Sequence, residues 1–287
     1  MFSKKVDFML TVEVRNANPN GDPLNGNMPR DNVDGYGEIS DVCIKRKIRN
    51  RMQDMDYEIF VQSNDRRTDE FKSLEKRFDS IFKDGKDGTP DDEVFRESCN
   101  RWIDVRSFGQ VMTFQKRSIG IRGPVSITIA RSLSPIITQS MQITRSTNGV
   151  EAAVGKVKSP DTMGMKHFVE YGVYVIKGSI NSYFAEKTGF TNEDSNVIKE
   201  ALRTLFVNDV SSARPDGSMQ VKELFWFKHP NKIGVCSSAK IFDLLEYNEG
   251  IMGNTLTKYE DYSIRLKEDK LAELKNAGLE IEVIEGI

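Results

Sequence analysis

The stretch NPNGDPLNGNMPRDNVDGYGEISDVCIKRKIRNR, residues 18–51, decides how this chain begins its fold. Residues 4–15 before it alternate between apolar and polar side chains, which predicts a β-strand. Two Asn-Gly turns and three prolines then predict a long loop over residues 16–39. Ser40 is suited to cap a helix, and Asp41 in the first turn suits the helix dipole. A strand, a long loop and a helix therefore open a mixed α+β chain.

The predicted helix has two different sides. Four apolar residues at helical spacing form its buried stripe: Ile44, Ile48, Met52 and Met55. Five positive charges fall within seven residues: Lys45, Arg46, Lys47, Arg49 and Arg51. Three of them, Lys45, Arg46 and Arg49, lie together off the stripe. A Gly/Asn loop beside such a helix suits a phosphate backbone, although an isolated charge run is as often a solvated helix face.

A charge asymmetry supports the first interpretation. Residues 105–150 contain no Asp or Glu, although the whole chain has a formal charge of only -2. Six basic residues lie in that stretch: Arg106, Lys116, Arg117, Arg122, Arg131 and Arg145. The acidic residues concentrate elsewhere, at 84–93, 192–194 and 268–285. A basic stripe on a balanced chain is typical of nucleic-acid-binding proteins.

The bulk composition predicts a folded protein of a reducing compartment. With 287 residues and 38% hydrophobic content, the chain can form one elaborated domain or two ordinary ones. No apolar run approaches the length of a membrane helix, and residues 1–10 become polar too early for a secretory signal. Cys43, Cys99 and Cys236 are isolated, without a CxxC pair. These features predict a cytoplasmic protein without a membrane partner.

Further elements follow along the chain. Residues 57–110 are polar and predict an insertion with helices at 68–82 and 91–105. Strands are predicted at 125–133, 168–180 and 221–228, and a helix with a capping-box-like start at 191–206. Residues 134–166 are too long for a hairpin turn and predict a protruding arm. The tail predicts a helix at 238–247, a strand at 259–266 and a final helix and strand.

Without its insertions the chain has the order β-α-β-β-α-β. That is the split βαβ order of a ferredoxin-like, RRM-type sheet, so the predicted fold class is α+β. The order alone does not assign a function, because this fold carries many.

Catalytic patterns are weak. His167 and His229 flank predicted strands and are interpreted as structural, and no GxSxG, HExxH or GxxxxGK[ST] motif is present. The loop carboxylates include Asp22, Asp31 and Asp34, but loop Asp residues more often form turns or caps than hold metals. The residues favour a binding protein over an enzyme, with no cofactor and no metal.

Several motifs together resemble a known family over residues 5–230, in collinear order. They are NPNGDP (18–23), GEISDVCIKRKIR (37–49), DVRSFGQVM (104–112), RGPVSITIARSLSPI (122–136), MGMKHFVEYGVYV (163–175), AEKTGF (185–190) and SSARPDGSM (211–219). The chain resembles the backbone subunit of type I CRISPR Cascade complexes, in the Cas7 branch of the RAMP superfamily. It is most similar to the Csd-type subunit of subtype I-C.

This resemblance implies an architecture and a set of partners. The RRM-type palm comprises residues 1–56, 107–133 and 167–246, with a helical fingers insertion at 57–106. A thumb hairpin spans 134–166, and 247–287 elaborate the C-terminus. Copies polymerise head to tail along CRISPR RNA beside other Cascade subunits, and the thumb of one copy covers RNA on its neighbour. Target DNA is reached through pairing with the RNA.

The matching motifs also imply the contact residues. The expected RNA-binding residues are Asn20, Gly21, Arg30, Lys45, Arg46, Arg49, Phe108, Gly109, Gln110, Ser211, Ser212 and Arg214. The expected thumb residues are Ile137, Met141, Met163 and Met165. Contacts of this kind recognise backbone and shape, so the guide sequence is free to vary.

Three alternatives remain open at this stage. One is a RAMP-like ribonuclease, metal-dependent or acid/base, because type III relatives cut target RNA with a loop Asp such as Asp31 or Asp34. Another is an assembly protein that polymerises through its arm without nucleic acid. For the arm itself, the alternative is an ordinary β-hairpin folded back on its own sheet.

Overall fold

The computed structural model describes residues 1–84, 88–144, 163–249 and 256–287. The strands are β1 Val6–Ala17, β2 Gly21–Asp22, β3 Met28–Pro29, β4 Tyr36–Ile39, β5 Gly109–Met112, β6 Ile119–Arg122, β7 Val125–Ile127, β8 Ala130–Pro135, β9 Thr138–Thr144, β10 Met163–Ile180, β11 Met219–Lys228, β12 Leu245–Glu246, β13 Arg265–Leu266 and β14 Glu280–Glu285. The helices are α1 Asp41–Asp54, α2 Leu74–Asp79, α3 Asp91–Arg101, α4 Ile103–Phe108, α5 Ser182–Thr188, α6 Asn192–Arg203, α7 Ser238–Phe242 and α8 Glu268–Asn276.

A large antiparallel sheet organises the molecule. Its order is β14-β11-β1-β10-β8-β4, and β7 and β9 also pair with β10. β1 lies between β10 and β11 and is antiparallel to both. The predicted mixture of helices with a β-sheet is therefore confirmed.

Both faces of the sheet are covered, which explains why β1 is buried at nine consecutive positions. Phe8 and Leu10 face a core shared with Ile44 of α1 and Ile198 of α6. Met9 faces a second core that the C-terminal residues complete. A strand buried on both faces needs no strict alternation of polar and apolar side chains.

The insertion has an aromatic core of its own. Phe60, Phe78 and Trp102 are fully buried there, and Met112 and Ile119 of the β5–β6 hairpin join them. The ring centroids of Phe60 and Trp102 lie 4.6 Å apart. Ile59 and Ile103, at the ends of the insertion, instead belong to the first core together with Ile44 of α1.

Strand β10 reaches beyond the sheet. Its 18 residues span roughly 60 Å at the rise of an extended chain. Residues 169–180 pair with β1, whereas residues 163–168 pair only with β9. A two-stranded ribbon therefore projects from the sheet, and residues 145–162 of the predicted arm lie outside the described part of the chain.

Several elements were predicted correctly in kind and place. They are β1, helix α1 with its Ser40 cap, strand β10, strand β11 and the closing helix and strand. Helix α6 begins with the expected capping box, in which the side chains of Thr191 and Asp194 each bond to the other's backbone N–H. These elements carry both a periodic apolar pattern and a local start signal.

Other boundaries were wrong for local reasons. The predicted loop over 16–39 contains β4, which pairs with β8 at the edge of the sheet. The strand predicted at 125–133 is interrupted between β7 and β8, and the helix predicted at 91–105 breaks at Trp102. The helix predicted at 68–82 is confined to α2, because Ser73 caps it by accepting from the Lys76 N–H.

The tail also differs from expectation. The helix predicted at 238–247 ends at Phe242, and the strand predicted at 259–266 is a 3-10 turn followed by the two-residue β13. Tyr262 is buried in the second core, which fixes this turn against the sheet. Within the described residues, no helix has the length and apolarity needed to cross a membrane.

Candidate nucleic-acid interface

The Asn/Gly loop is anchored to the start of α1. The Asn20 Oδ1 accepts the Ser40 N–H at 2.9 Å and the Ser40 hydroxyl at 2.8 Å. The Asn20 carbonyl accepts the Arg30 N–H at 3.1 Å. Asn20 is therefore placed by its own hydrogen bonds beside the N-terminus of the basic helix.

Gly21 and Arg30 lie on the β2–β3 hairpin next to this anchor. A Cβ at position 21 would overlap the side chain of Asn27, so a larger residue there would require that side chain to move. The Arg30 Nη2 lies 3.2 Å from Asp22 Oδ1, while its Nε is buried without a hydrogen-bond partner in the described chain. The Nε–H of Arg30 can therefore still donate a hydrogen bond. Leaving it unpaired in a buried position costs free energy.

The three cations on the outer side of α1 all have partners. Lys45 Nζ lies 3.0 Å from Asp41 Oδ2, and the Arg46 Nη1 donates to the Val61 carbonyl at 2.8 Å. The Arg49 Nε donates to Asp104 Oδ2 at 2.8 Å. These side chains lie off the apolar stripe but do not extend freely into solvent, because the insertion contacts Arg46 and Arg49.

Arg46 and Arg49 nevertheless keep unused donors. No acceptor in the described chain bonds to the Nε and Nη2 of Arg46 or to the two Nη atoms of Arg49, and none of these is buried. Burial first, and the charge of Arg49 second, lower the pKa of Arg46 from its usual value. Since arginine stays protonated in proteins, both groups keep their positive charge, and both are only partly exposed, with 12% of the Arg49 side chain accessible.

The Phe-Gly-Gln motif lies beside Arg49. The guanidinium carbon of Arg49 is 5.0 Å from the centre of the Phe108 ring. Gly109 has φ 79°, and a Cβ there would lie 2.6 Å from the Gly123 nitrogen. The Gln110 side chain donates to the Val111 carbonyl at 3.0 Å, at the start of β5.

The Ser-Ser-Ala-Arg loop meets the helix through a residue that the sequence did not single out. Asp209 pairs with Lys47 of α1 and, at 3.2 Å, with the Nε of Arg214. Burial lowers the pKa of Lys47. Lys47 follows Ile44 by three residues, so helical spacing does place it beside the apolar stripe.

The same loop contacts the Asn/Gly loop directly. The Ala213 carbonyl accepts the Asn18 N–H at 2.9 Å, and the Arg214 Nη1 donates to the Asn18 carbonyl at 3.4 Å. Ser211 and Arg214 exchange backbone hydrogen bonds of 2.9 and 3.1 Å, and Ser212 is exposed. The structure therefore gathers the predicted segments around α1, with the Ser-Ser-Ala-Arg loop and the Phe-Gly motif bound to different side chains of the helix.

The basic stretch 105–150 is not a continuous basic stripe. Acids from distant segments neutralise three of its arginines: Arg106 with Asp194 at 2.8 Å, Arg117 with Asp91 at 2.7 Å, and Arg131 with Glu38 at 2.9 Å. Arg122 lies over the Phe184 ring at 5.4 Å, and Arg145 lies outside the described residues. The prediction failed because charge runs along a chain do not show which acids fold against them.

The projecting ribbon carries exposed apolar side chains on both of its faces. Its expected thumb residues are exposed: Ile137 by 42%, Met141 by 49%, Met163 by 63% and Met165 by 57%. Directly paired residues share a face, and Met141 pairs with Lys166 whereas Met165 pairs with Gln142. Since strand side chains alternate, Met141 lies on one face and the other two methionines on the opposite one. In the described residues this ribbon does not fold back on the sheet.

The candidate catalytic groups are placed as follows. His229 is fully buried, with its Nε2 2.8 Å from Asp7 Oδ2 and its Nδ1 accepting the Val235 N–H at 3.1 Å. His167 lies within β10, with its Nδ1 2.7 Å from the Ser140 hydroxyl. Asp31 and Asp34 are exposed. Among the described residues, no three His, Cys, Asp or Glu side chains group as metal ligands.

Comparison with known proteins identifies the family. The family model described as CRISPR-associated protein Cas7 matches residues 4–267. A curated CRISPR-associated protein Cas7 from Haloferax volcanii is 23% identical over an alignment of 205 positions, which covers 66% of this chain and 60% of that protein. The match thus spans about three fifths of the relative's length. The chain belongs to the Cas7 family, as its motifs predicted.

Solved structures give more distant similarities. A chain from a CRISPR RNA-guided surveillance complex in a pre-nicking state is 14% identical, with a TM-score of 0.49 over 78% of each chain. A chain from another CRISPR RNA-guided surveillance complex is also 14% identical, with a TM-score of 0.47 over 95% of this chain and 82% of that one.

Proposed function

We propose that this chain is the guide-RNA-binding backbone subunit of a type I-C CRISPR Cascade complex. Copies polymerise head to tail along CRISPR RNA in the cytoplasm, beside other Cascade subunits, and present the RNA for pairing with target DNA. The subunit acts structurally and does not cut RNA. Membership of the Cas7 family supports this proposal, while the subtype rests on the motif resemblance.

The observation that carries the proposal is the pair of arginines on α1. Arg46 and Arg49 are each bonded to the insertion, and their remaining N–H donors have no acceptor within the described chain. Guanidinium groups bind phosphates through such parallel N–H groups. The Asn20 anchor, the Phe108 ring and the Arg214 loop surround the same helix, so a bound strand would follow it.

We infer the RRM-type palm from the strand order. β11, β1, β10 and β8 lie side by side, all antiparallel, and α1 and α6 pack on one face. The insertion at 57–106 serves as the fingers, and 134–166 as the thumb. The exposed apolar side chains on both faces of the ribbon suit contact with unstacked bases on one side and with a neighbouring subunit on the other.

Purification tests the proposal directly. The protein is expressed with and without a CRISPR RNA, and bound RNA is recovered and sequenced. We expect the protein to retain RNA and, when RNA-free, to bind single strands of unrelated sequence with similar affinity. An RNA-free protein that assembles alone and binds no added RNA would establish the assembly-protein alternative instead.

A further inference from the structure

One carboxylate organises both arginines of the α1 surface. Asp104, the second residue of α4, is fully buried and accepts three N–H groups. Its Oδ1 accepts the Phe60 N–H at 2.7 Å. Its Oδ2 accepts the Val61 N–H at 3.1 Å and the Arg49 Nε–H at 2.8 Å. Asp104 therefore joins α1 to the first residues of the insertion.

The same contacts extend to Arg46. The carbonyl of Val61, whose N–H is held by Asp104, accepts the Arg46 Nη1 at 2.8 Å. Asp104 and Phe108 are four residues apart on α4 and share a helix face. One holds the Nε of Arg49, while the other places its ring 5.0 Å from that guanidinium.

Arginines held in place in this way bind phosphate at a lower entropy cost than flexible ones. A free arginine loses rotamer freedom when it grips a phosphate, and ordering it beforehand removes that cost. A buried carboxylate is unfavourable unless all of its partners are present, so it constrains Arg49 closely. The bond engages only the Nε of Arg49, and the two Nη groups remain for a ligand.

We propose that Asp104 is a positioning residue for phosphate binding: together with the backbone of Phe60 and Val61 it holds Arg46 and Arg49 in a geometry ready for a nucleic-acid backbone. This inference rests on the proposed function. In this proposal, the insertion orders the arginine side chains of α1.

The first test is Asp104→Asn in two backgrounds. Fluorescence anisotropy with a labelled single-stranded RNA of mixed sequence measures affinity. In the otherwise native protein we expect a loss of about tenfold, the scale of one charge-assisted hydrogen bond. In Arg46→Ala/Arg49→Ala protein the same change should cause no further loss, because the positioned groups are gone. Equal losses in both backgrounds would overturn the proposal, since they would indicate a general structural effect.

A matched control lies in the same insertion. Asp91 pairs with the mostly buried Arg117 at 2.7 Å, and the other hydrogen bonds of Arg117 go to the carbonyls of Thr89 and Lys83, not to α1, Phe60 or Val61. Asp91→Asn should leave RNA affinity unchanged. If it weakens binding as much as Asp104→Asn does, then loosening the insertion explains both effects and the positioning role is wrong.

A second variant decides the question if Asp104→Asn does not fold. Arg49→Lys keeps the charge but loses the Nε donor and the planar fork. We expect it to bind RNA as weakly as Arg49→Ala. Native affinity in Arg49→Lys would show that charge alone suffices and would overturn the proposal. Native affinity in Arg46→Ala/Arg49→Ala would instead contradict the phosphate site itself, and the positioning role with it.

Discussion

At Gly109 the backbone has φ 79° and ψ 170°, a conformation that other residues avoid. A Cβ there would overlap the Ile121 carbonyl and lie 2.6 Å from the Gly123 nitrogen. The preceding Phe108 owes its position beside Arg49 to this turn, because the chain leaves α4 and enters β5 at that residue. A single glycine thus links the insertion's hairpin to the basic helix.

Gly109→Ala should therefore destabilise the protein and weaken RNA binding. We expect a loss of about 1–3 kcal/mol in the free energy of unfolding, measured by denaturant titration. Gly120→Ala is the matched control in the same hairpin, since a Cβ there meets nothing within 4 Å. The control should remain within about 0.5 kcal/mol of the native protein. Similar stabilities of the two variants would refute the close-approach explanation.

The Asp69–Arg77 pair gives a pH prediction. Hydrogen bonds from the Arg77 side chain lower the pKa of Asp69 from its usual value. A lowered pKa in the folded state means that the pair stabilises above the unfolded-state pKa, and that this contribution is lost as pH falls through the folded-state pKa. Asp69→Asn should therefore destabilise at neutral pH, with a difference from native that shrinks in acid. A difference that stays constant to strongly acidic pH would contradict this linkage.

At the scale of elements, we expect that the ribbon of β9 and residues 163–168 can be removed without unfolding the rest of the subunit. Its side chains are largely exposed, and the rest of β10 is held by β1 independently of it. An exposed strand pair with many apolar residues is typical of a surface that binds something outside its own subunit. The ribbon is thus a candidate contact between neighbouring copies.

Replacing residues 137–157 by a short Gly/Ser turn tests this role. The monomer should stay folded, bind short RNA weakly and fail to form long ordered arrays on long RNA. Circular dichroism and electron microscopy measure the two outcomes. Arrays of native length would show that the ribbon is not the contact between copies, and an unfolded product would favour a hairpin that its own subunit needs.

At the scale of the whole molecule, the sequence predicted local secondary structure better than it predicted which side chains contact each other. The cap at Ser40, the stripe on α1 and the long apolar strands carry their signals within a few residues. The ion pairs join distant segments, such as Arg49 with Asp104 and Arg106 with Asp194, 55 and 88 residues apart. Periodicity and charge counts along a chain contain no information on such pairs. The positions of the arginines were therefore predictable, but their contacts were not.

The ribonuclease alternative is tested by an RNA-cleavage assay with the whole protein. We expect no cleavage of labelled RNA in the presence of magnesium or manganese, because no three His, Cys, Asp or Glu side chains of the described residues group as metal ligands. His167→Ala should leave the RNA-binding stoichiometry unchanged. Cleavage by the native protein that Asp31→Ala or Asp34→Ala abolishes would replace the structural role by a catalytic one.

The most direct test of the central claim is the salt dependence of RNA binding. Affinity is measured over a range of salt concentrations, with two unrelated single-stranded RNAs, for native protein and for Lys45→Ala/Arg46→Ala/Arg49→Ala. A control variant removes three exposed charges elsewhere: Lys72, Lys270 and Lys275. We predict that the α1 variant binds both RNAs more weakly, with a log–log salt slope flatter by about 0.7 for each lost phosphate contact, whereas the control keeps the native slope. A native slope in the α1 variant would contradict the account.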